Sequence, residues 1–333
     1  MALKVAINGF GRIGRLVVRA AVQRKAPIEF VHVNDLTDAN TLQHLLKYDT
    51  VHRVWHEIPS KSPDGKLHIG GTSIPVTAEK DASKLPWAAL GVDVVLEATG
   101  KYTDRDKAVV HLQAGAKSVL VSAPSKGADL TFVMGVNDQL FDRAKHQVFS
   151  IGSCTTNCLA PVAKVLNDSF GIDHGFMTTI HAYTNDQNIL DLPHKDLRRA
   201  RAACMSMIPT STGAAKAISE VIPDLKGRLD GLAVRVPVQD GSLVDLVVKV
   251  KRPTTKDEIN AAMKAASQGP LKGYLEYCED PIVSNDVIGN PASSVFDSLC
   301  TNVVNGDLVK VMSWYDNEWG FSNRVVDALL KMA

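Results

Sequence analysis

The chain has 333 residues, which is long enough for two domains of ordinary size. Its 45% hydrophobic and 22% charged residues are typical of a globular protein, and 37 basic residues balance 36 acidic ones. A formal net charge of +1 excludes a bulk electrostatic field that would attract nucleic acid or an anionic membrane.

The cysteine content and the first residues bear on the compartment. Five cysteines, an odd number, do not suggest a disulfide framework and favour a reducing environment. The start, MALKVAINGF, lacks the three regions of a signal peptide, and the chain contains no run of about 18 apolar residues. We therefore expect a cytoplasmic protein with no membrane insertion and no dedicated nucleic-acid binding.

The first half of the chain alternates strand-like and helical stretches, which predicts an α/β fold with a doubly wound, mostly parallel sheet of the Rossmann type. The predicted strands are Leu3–Asn8, Ile28–Asn34, Val92–Glu97, Ser118–Ser122, Leu130–Met134 and Val148–Ile151. The predicted helices are Arg12–Arg24, Ala39–Lys47, Arg105–Gln113 and Asp138–Ala144. A hairpin turning at Gly70 and Gly71 interrupts this pattern.

The second half has longer alternating stretches, which predict an α+β domain with a largely antiparallel sheet. The stretches GRLDGLAVRVPVQ and SLVDLVVKV flank a turn at Asp240 and Gly241 and are predicted to be antiparallel strands of one sheet. Helices are predicted over Gly213–Val221 and Lys256–Ser267.

The domain boundary is predicted where the strand ending at Ile151 meets the next helix. This gives a first domain over residues 1–152 and a second over 153–317. The final helix, about residues 318–333, could pack on either domain, and we assign it to the first.

The motif NGFGRIGR follows the first predicted strand and opens the first predicted helix. Its glycines are Gly9, Gly11 and Gly14. Glycines at this spacing permit a tight turn, a close approach of backbone to pyrophosphate, and close packing of helix on strand. The helix start at Arg12 and Ile13 offers N–H groups to phosphate oxygens, although such glycines can also be merely structural.

Polar residues end three further predicted strands of the first domain. Asp35 ends the second strand, where a carboxylate accepts hydrogen bonds from an adenosine ribose and repels a 2′-phosphate. Thr99 and Ser122 end two others, and the carboxyl ends of parallel strands line the ligand crevice of such sheets. Together with the glycine motif, these residues predict binding of NAD rather than NADP.

The stretch SIGSCTTNCLAPVAKVL places Cys154 at the start of a helix with an apolar face. Unpaired N–H groups and the helix dipole favour a thiolate there, the nucleophilic form of cysteine. A small buried cysteine without function is the alternative. Cys158, one turn later, could join Cys154 as a metal ligand, but no second ligand pair accompanies them, so we predict no metal site.

A dinucleotide domain followed by a cysteine at a helix start suggests oxidation of an aldehyde through a thioester. Hydride leaves an aldehyde carbon only after a nucleophile has made it tetrahedral, and a thiolate can do this. The proton acceptor is expected to be a histidine. His181 lies 27 residues after Cys154 in TTIHAYTND, but it is one of ten histidines and spacing does not show contact.

Eight blocks spread over the whole chain carry a resemblance to a known family. They are NGFGRIGR, VNDL, EATG, SCTTN, HAYTNDQ, RRARAA, STGAAKA and WYDNEWGFSNR. In this order they resemble phosphorylating glyceraldehyde-3-phosphate dehydrogenase. The resemblance implies a glycolytic, NAD-dependent homotetramer that converts glyceraldehyde 3-phosphate and inorganic phosphate to 1,3-bisphosphoglycerate.

The resemblance also implies roles for individual residues. It makes Cys154 the nucleophile and His181 its base partner. The implied ligands of substrate phosphate and inorganic phosphate are Ser153, Thr155, Thr184, Arg199, Thr212, Gly213 and Arg235. The implied cofactor contacts are Gly9, Gly11, Arg12, Ile13, Gly14, Asp35 and Asn317, and the NAD-preferring pair Leu192 and Pro193 is present. The chain departs from the usual family residues at Lys80, Tyr102 and Phe321, which affects the adenine and nicotinamide contacts.

The basic stretch HKDLRRARA has three interpretations: a solvated face, a nucleic-acid patch, or part of the substrate-anion loop. The nearly neutral chain argues against a nucleic-acid patch. We take Arg199 as functional and the other basic residues as structural or interfacial.

Other functions remain open from the sequence. A paralogue could oxidise erythrose 4-phosphate, and a non-phosphorylating aldehyde dehydrogenase would share the thioester chemistry. A non-enzymatic role in redox sensing, or in binding RNA or a surface, is a different class of function. The complete catalytic set favours the phosphorylating dehydrogenase.

Overall fold

Two β-sheets organise the chain, and the computed structural model describes residues 2–333. These residues form two compact units. The first comprises the residues up to Phe132, Gln139–Gly152 and Ser322–Ala333, and the second comprises Val133–Asp138 and Ser153–Phe321. Among residues 2–333, no helix has both the length and the apolar character needed to cross a bilayer.

The first unit is built on an eight-stranded sheet. Its strands are β1 (Leu3–Asn8), β2 (Ile28–Asn34), β3 (Lys66–Ile69), β4 (Thr72–Thr77), β5 (Val94–Glu97), β6 (Ser118–Val121), β7 (Leu130–Thr131) and β8 (Val148–Ser150). They lie in the order β3-β4-β2-β1-β5-β6-β8-β7, and only the hairpin of β3 and β4 is antiparallel. This arrangement confirms the predicted mostly parallel sheet and the predicted hairpin at Gly70 and Gly71.

Five helices connect these strands: α1 (Arg12–Gln23), α2 (Ala39–Lys47), α3 (Trp87–Leu90), α4 (Arg105–Ala108) and α5 (Val110–Gln113). The first two agree with the predicted helices. α2 begins where the Asp38 carboxylate accepts the backbone N–H of Thr41 at 3.0 Å, which satisfies one N–H of the first turn. The single helix predicted over Arg105–Gln113 is interrupted at Val109 alone.

The helix predicted over Asp138–Ala144 is wrong. Only Asp138–Leu140 forms a short 3-10 turn. The Asp142 carboxylate accepts the N–H of Ala144 at 2.9 Å. An aspartate that bonds the backbone two residues ahead favours a turn and competes with helical hydrogen bonds.

The strand predicted over Leu130–Met134 is shorter than expected, because β7 ends at Thr131. The N–H of Val133 donates to the side-chain oxygen of Asn137 at 2.8 Å. This local contact uses a backbone donor that a longer strand would direct to its neighbour.

The second unit is built on a seven-stranded sheet. Its strands are β9 (Ile172–Ala182), β10 (Ile208–Ser211), β11 (Leu229–Val236), β12 (Ser242–Val250), β13 (Leu275–Cys278), β14 (Ser294–Val304) and β15 (Leu308–Tyr315). Their order is β10-β11-β9-β12-β15-β14-β13, and two of the six neighbouring pairs are parallel. The sheet is therefore largely antiparallel, as predicted.

The strands on either side of the Asp240 and Gly241 turn belong to one sheet but are not neighbours. β9 lies between them, parallel to β11 and antiparallel to β12. The parallel register places Arg235 of β11 opposite His181 of β9. The insertion of β9 therefore brings together two residues that are far apart in sequence.

The helices of the second unit are α6 (Cys154–Phe170), α7 (Ala214–Val221) and α8 (Lys256–Gln268). α6 buries Leu159, Val162 and Leu166 in a core that also contains Met177 and Leu246 from the sheet. This packing anchors α6 and thereby fixes the position of its first residues.

The last helix, α9 (Trp319–Lys331), ends the chain. Its residues from Ser322 onward belong to the first unit. Arg24, the residue after α1, donates to the carbonyl oxygen of Asn323 at 3.0 Å and forms an ion pair with Asp327. These contacts attach α9 to α1.

Candidate active site

Cys154 is the first residue of α6, and side-chain hydrogen bonds cap the start of this helix. The Ser153 hydroxyl accepts the N–H of Thr156 at 3.0 Å, and the Thr156 hydroxyl accepts the N–H of Ser153 at 3.3 Å. This reciprocal pair is a capping box, which fixes the direction in which the chain enters the helix. Cys154 is half-buried, whereas Cys158 is fully buried one turn later.

The Cys154 sulfur lies 3.4 Å from Nε2 of His181, which is 4% exposed near the end of β9. Nδ1 of the same ring lies 2.7 Å from the carbonyl oxygen of Ala182. A carbonyl oxygen can only accept, so this short contact assigns the proton of the neutral ring to Nδ1. Nε2 is therefore the free base that faces the cysteine.

Arg235 lies next to the Nδ1 side of the His181 ring, away from Cys154. Its Nη1 donates to the Ala182 carbonyl oxygen and to the Thr184 hydroxyl, each at 3.0 Å. The same nitrogen lies 3.1 Å from Nδ1 of His181. A fixed positive charge at this distance disfavours an imidazolium.

Burial governs the ionisation of the cysteine and histidine. Burial raises the pKa of the Cys154 thiol to about 11, opposed by the Arg235 charge and by the N–H of Thr155. Burial, followed by the Arg235 charge, lowers the pKa of His181 to about 3. Because both shifts oppose an isolated charge, the helix start alone does not produce a thiolate. Proton transfer from Sγ to Nε2 creates both charges together, and their attraction offsets part of the cost of burying them.

Tyr315 packs against the His181 ring and contacts Thr155, the residue after Cys154. The sequence analysis did not identify it. Its hydroxyl contacts those of Thr155 at 2.8 Å and Thr179 at 2.9 Å, and its ring meets the His181 ring edge to face with centroids 5.9 Å apart. Tyr315 is 1% exposed and ends β15. A tyrosine at a strand end is an ordinary core residue in sequence, so no local signal identified it.

Three of the predicted anion-binding residues form one cluster. Arg235 donates to the Thr184 hydroxyl, and the Thr184 hydroxyl donates to the Asp186 carboxylate. Arg199 donates to the same carboxylate through Nη1. The sequence analysis did not identify Asp186, although it stands in the HAYTNDQ block.

The start of α7 lies beside Arg199. The Arg199 Nη2 donates to the carbonyl oxygen of Ser211 at 3.2 Å. The Thr212 hydroxyl accepts the N–H of Ala214 at 3.2 Å, and a Cβ added to Gly213 would meet no atom within 4 Å. The backbone at this helix start is therefore open, and an open helix start favours an anion.

Three other predicted residues are occupied by structural contacts. The Ser153 hydroxyl caps α6, and the Thr155 hydroxyl contacts Tyr315. Asn317 accepts a hydrogen bond from the Ser242 hydroxyl at 2.5 Å, and Ser242 in turn accepts the N–H of Ala182 at 3.1 Å. Asn317 is thereby connected to the strand that carries His181.

The first unit contains a cavity of about 430 Å³ at the carboxyl ends of β1, β2 and β5. Gly9, Gly11, Asp35 and Thr99 line it, so the structure brings these four predicted cofactor contacts together. Its other lining residues are Asn8, Asn34, Leu36, Glu79, Lys80, Ala82, Ala98, Lys101 and Tyr102. Two of the residues that depart from the family pattern, Lys80 and Tyr102, therefore lie at this cavity.

The glycine motif is required by close packing. Gly9 has φ of +94°, and a Cβ there would lie 2.7 Å from the backbone nitrogen of Thr99. A Cβ on Gly14 would lie 2.4 Å from the carbonyl oxygen of Gly9. By contrast, Gly11 has open space, so its lack of a side chain leaves room for a ligand.

The remaining predicted contacts of the first unit are not among the residues that line this cavity. Arg12 directs two guanidinium nitrogens at the Asp49 carboxylate, at 2.6 and 3.3 Å, and Ile13 follows it in α1. The Ser122 hydroxyl donates to the carbonyl oxygen of Glu97 at 3.0 Å. Gly14 packs closely against Gly9 and so helps to hold the turn that lines the cavity.

A buried polar network lies behind the cavity, and it also escaped sequence reasoning. The Glu97 carboxylate accepts from Asn8 Nδ2 at 2.7 Å and from the N–H of Thr99 at 2.8 Å, and it contacts Nε2 of His111 at 3.0 Å. The Trp87 indole donates to Nδ1 of His111 at 3.1 Å. The network ties two lining residues, Asn8 and Thr99, to the core.

Comparisons with known proteins agree with these observations. The family described as glyceraldehyde 3-phosphate dehydrogenase, NAD binding domain, matches residues 3–105, and its C-terminal domain matches residues 153–317. Glyceraldehyde-3-phosphate dehydrogenase from Geobacillus stearothermophilus is 58% identical over 98% of this chain and 97% of its own length. Glyceraldehyde-3-phosphate dehydrogenase 1 from Bacillus subtilis (strain 168) is 59% identical with the same coverage. Glyceraldehyde-3-phosphate dehydrogenase 2 from Streptomyces avermitilis is 56% identical, again with that coverage.

Proposed function

The chain belongs to the glyceraldehyde-3-phosphate dehydrogenase family, and from this we propose that Cys154 and His181 carry out its chemistry. The protein is an NAD-dependent phosphorylating dehydrogenase that converts glyceraldehyde 3-phosphate and inorganic phosphate to 1,3-bisphosphoglycerate. We assign cofactor binding to residues 1–152, with the helix at about 318–333, and catalysis to residues 153–317. The 3.4 Å contact between Cys154 and His181 carries the proposal.

The first proposed step is formation of the nucleophile. His181 takes the thiol proton on Nε2, and the Cys154 sulfur attacks the aldehyde carbon to form a C–S bond. The imidazolium returns this proton to the developing oxyanion, which gives a neutral hemithioacetal. The hydrogen bond from Nδ1 to the Ala182 carbonyl oxygen keeps the ring oriented for both transfers.

Oxidation and phosphate attack follow at the same sulfur. NAD, when bound, supplies the acceptor for the hydride that leaves the hemithioacetal carbon. His181 removes the hydroxyl proton in this step, which leaves a thioester on Cys154. Inorganic phosphate then attacks the thioester carbon, the C–S bond breaks, and Cys154 leaves as a thiolate that recovers its proton from His181.

Two anion sites are proposed around this pair. Thr184 and Arg235 are assigned to one anion, and Arg199 with the start of α7 at Thr212 and Gly213 to the other. The guanidinium groups and the open helix start support the assignment, since both favour phosphate. Ser153 and Thr155 are also assigned to phosphate binding, which requires their hydroxyls to exchange their present partners.

The cavity of the first unit fits NAD. Gly11 leaves open space that a Cβ would narrow, Gly9 allows its backbone to pack closely against Thr99, and Asp35 is available for a ribose. We propose Gly9, Gly11, Asp35 and Thr99 as direct contacts. Arg12, Ile13, Gly14 and Ser122 are assigned to shaping the site or to contacts outside the cavity, and Asn317 is proposed to bind the nicotinamide carboxamide.

Replacing Asp35 with asparagine should relax the preference for NAD. The Asp35 carboxylate accepts the N–H groups of Phe10 at 2.8 Å and Thr37 at 3.0 Å, so its charge is fixed in place. Loss of that charge removes repulsion of a 2′-phosphate and weakens the ribose contact. We expect the ratio of kcat/KM for NAD to that for NADP to fall by about tenfold. An unchanged ratio would show that Asp35 does not select the cofactor.

The phosphate dependence of NADH formation tests the proposed function. With glyceraldehyde 3-phosphate, steady-state turnover is expected to require inorganic phosphate, and sustained turnover without it would indicate a non-phosphorylating enzyme. Erythrose 4-phosphate is assayed in parallel. A higher kcat/KM with this aldehyde would identify the substrate as the longer sugar phosphate.

The finer biological assignments are also proposals. Exposed apolar side chains are concentrated in the loop that follows β9: Ile189, Leu190, Leu192, Leu197, Met205 and Met207. Exposed apolar clusters mark protein interfaces, which supports a homotetramer. Sedimentation at low micromolar concentration tests the proposal, because a monomer there would contradict it. We assign the enzyme to the cytoplasm, where a thiol nucleophile stays reduced.

A further inference from the structure

Arg199 is surrounded by acceptors from its own chain. Its Nε donates to the Thr210 hydroxyl at 2.9 Å, its Nη2 donates to the Ser211 carbonyl oxygen, and its Nη1 donates to Asp186. The Thr210 hydroxyl in turn donates to the Asp196 carboxylate at 2.7 Å. The guanidinium is therefore fixed in orientation.

Asp186 differs from the other acceptors because it also binds Thr184. Its carboxylate receives one hydrogen bond from the Thr184 hydroxyl and another from Arg199. In this way one anionic side chain joins the groups assigned to the two proposed anion sites. The Asp186 side chain is 46% exposed and that of Arg199 is 19% exposed, so the carboxylate lies on the solvent side of the ion pair.

We infer that Asp186 is a specificity-determining positioning residue that competes with phosphate for Arg199 and Thr184. This inference rests on the proposed assignment of Arg199 and Thr184 to anion binding. The carboxylate orients both donors before an anion arrives and repels the anion once it is bound. Affinity for phosphate is thereby kept moderate, which favours release of a product that carries two phosphate groups.

The inference predicts that removing the Asp186 charge lowers the KM for inorganic phosphate, whereas damage to the structure of the site would raise it. Asp186→Asn keeps the size of the side chain and one acceptor oxygen but removes the charge. We expect the KM for inorganic phosphate to fall about threefold to fivefold, a modest effect because the group is partly exposed to solvent. Loss of orientation alone would raise this KM instead.

Two further variants complete the experiment. Asp168→Asn removes an equal charge from an exposed ion pair with Lys164 on α6, and its KM for phosphate should not change. Arg199→Ala should raise the KM for phosphate at least tenfold, because it removes a charged donor. All three enzymes are compared at low and high salt, and the effect of Asp186→Asn should shrink as salt screens it.

The outcomes separate the inference from the proposed function. An unchanged KM for phosphate in Arg199→Ala would overturn the assignment of Arg199 and with it the inference. A raised KM in Arg199→Ala together with a raised or unchanged KM in Asp186→Asn would overturn the inference alone. A lowered KM in Asp186→Asn, absent from Asp168→Asn and reduced by salt, would support it.

Discussion

Cys154→Ser is expected to abolish turnover, with kcat falling by about 10⁵-fold or more, as when the nucleophile of another covalent enzyme is removed. A serine hydroxyl is far less acidic than a thiol, and His181 would have to deprotonate it at the same half-buried position. Stoichiometric iodoacetate labelling of the peptide that carries residue 154 should disappear as well. Stopped-flow kinetics and peptide mapping measure the two losses.

The matched control for this variant is Cys278→Ser. Cys278 ends β13, where its thiol contacts the carbonyl oxygen of Asp280 at 3.6 Å, and it takes no part in the proposed chemistry. This variant should keep the wild-type rate. Undiminished turnover in Cys154→Ser would refute the assignment of the nucleophile.

His181→Asn should lower kcat by about 10²- to 10⁴-fold, the usual contribution of a general base, while NAD binding stays unchanged. An asparagine cannot accept the thiol proton, so the thiolate must form by releasing that proton to solvent. Burial raises the pKa for this release to about 11. Alkylation of Cys154 by iodoacetamide should therefore become slower at neutral pH and should rise with pH into the alkaline range.

His174→Asn provides the control on the same strand, since His174 is exposed and pairs with the neighbouring Asp173. The wild-type rate and alkylation profile are expected for it. A His181→Asn enzyme with the wild-type pH profile would show that another group activates the cysteine.

The predicted sheets and helices came from patterns that are local in the chain. The strand β5 is fully buried and continuously apolar up to Glu97, and α1 begins within its glycine motif. Such elements can be predicted because burial of one face leaves a periodic apolar pattern in the sequence, and burial of both faces leaves a continuous apolar run. The failed helix over Asp138–Ala144 shows the limit, because one aspartate contact with the backbone decided that segment.

The contacts that form the candidate active site join residues far apart in the chain, and their spacing in the sequence did not predict these contacts. The contact between Cys154 and His181 depends on where α6 packs on the sheet, and that between His181 and Arg235 depends on β9 lying between β11 and β12. The resemblance named these residues without explaining their proximity.

The residues of the site that the sequence analysis did not identify are polar side chains whose partners lie elsewhere in the fold. Tyr315 and Glu97 are buried polar side chains at strand ends, and nothing in a sequence separates them from ordinary core residues. Asp186 was not identified because its role depends on a contact with Arg199, which lies 13 residues away in sequence. Polar networks become visible only when their partners are known.

Trapping of the acyl-enzyme tests most directly whether the Cys154 sulfur carries the reaction. Enzyme is mixed with glyceraldehyde 3-phosphate and NAD without inorganic phosphate, quenched in acid within one turnover, and digested for mass spectrometry. We predict a burst of about one NADH per active site, as for an accumulating covalent intermediate, and a phosphoglyceroyl thioester on the peptide that carries Cys154, which added phosphate removes. A burst without acylation of Cys154, or an acyl group on another residue, would contradict this account.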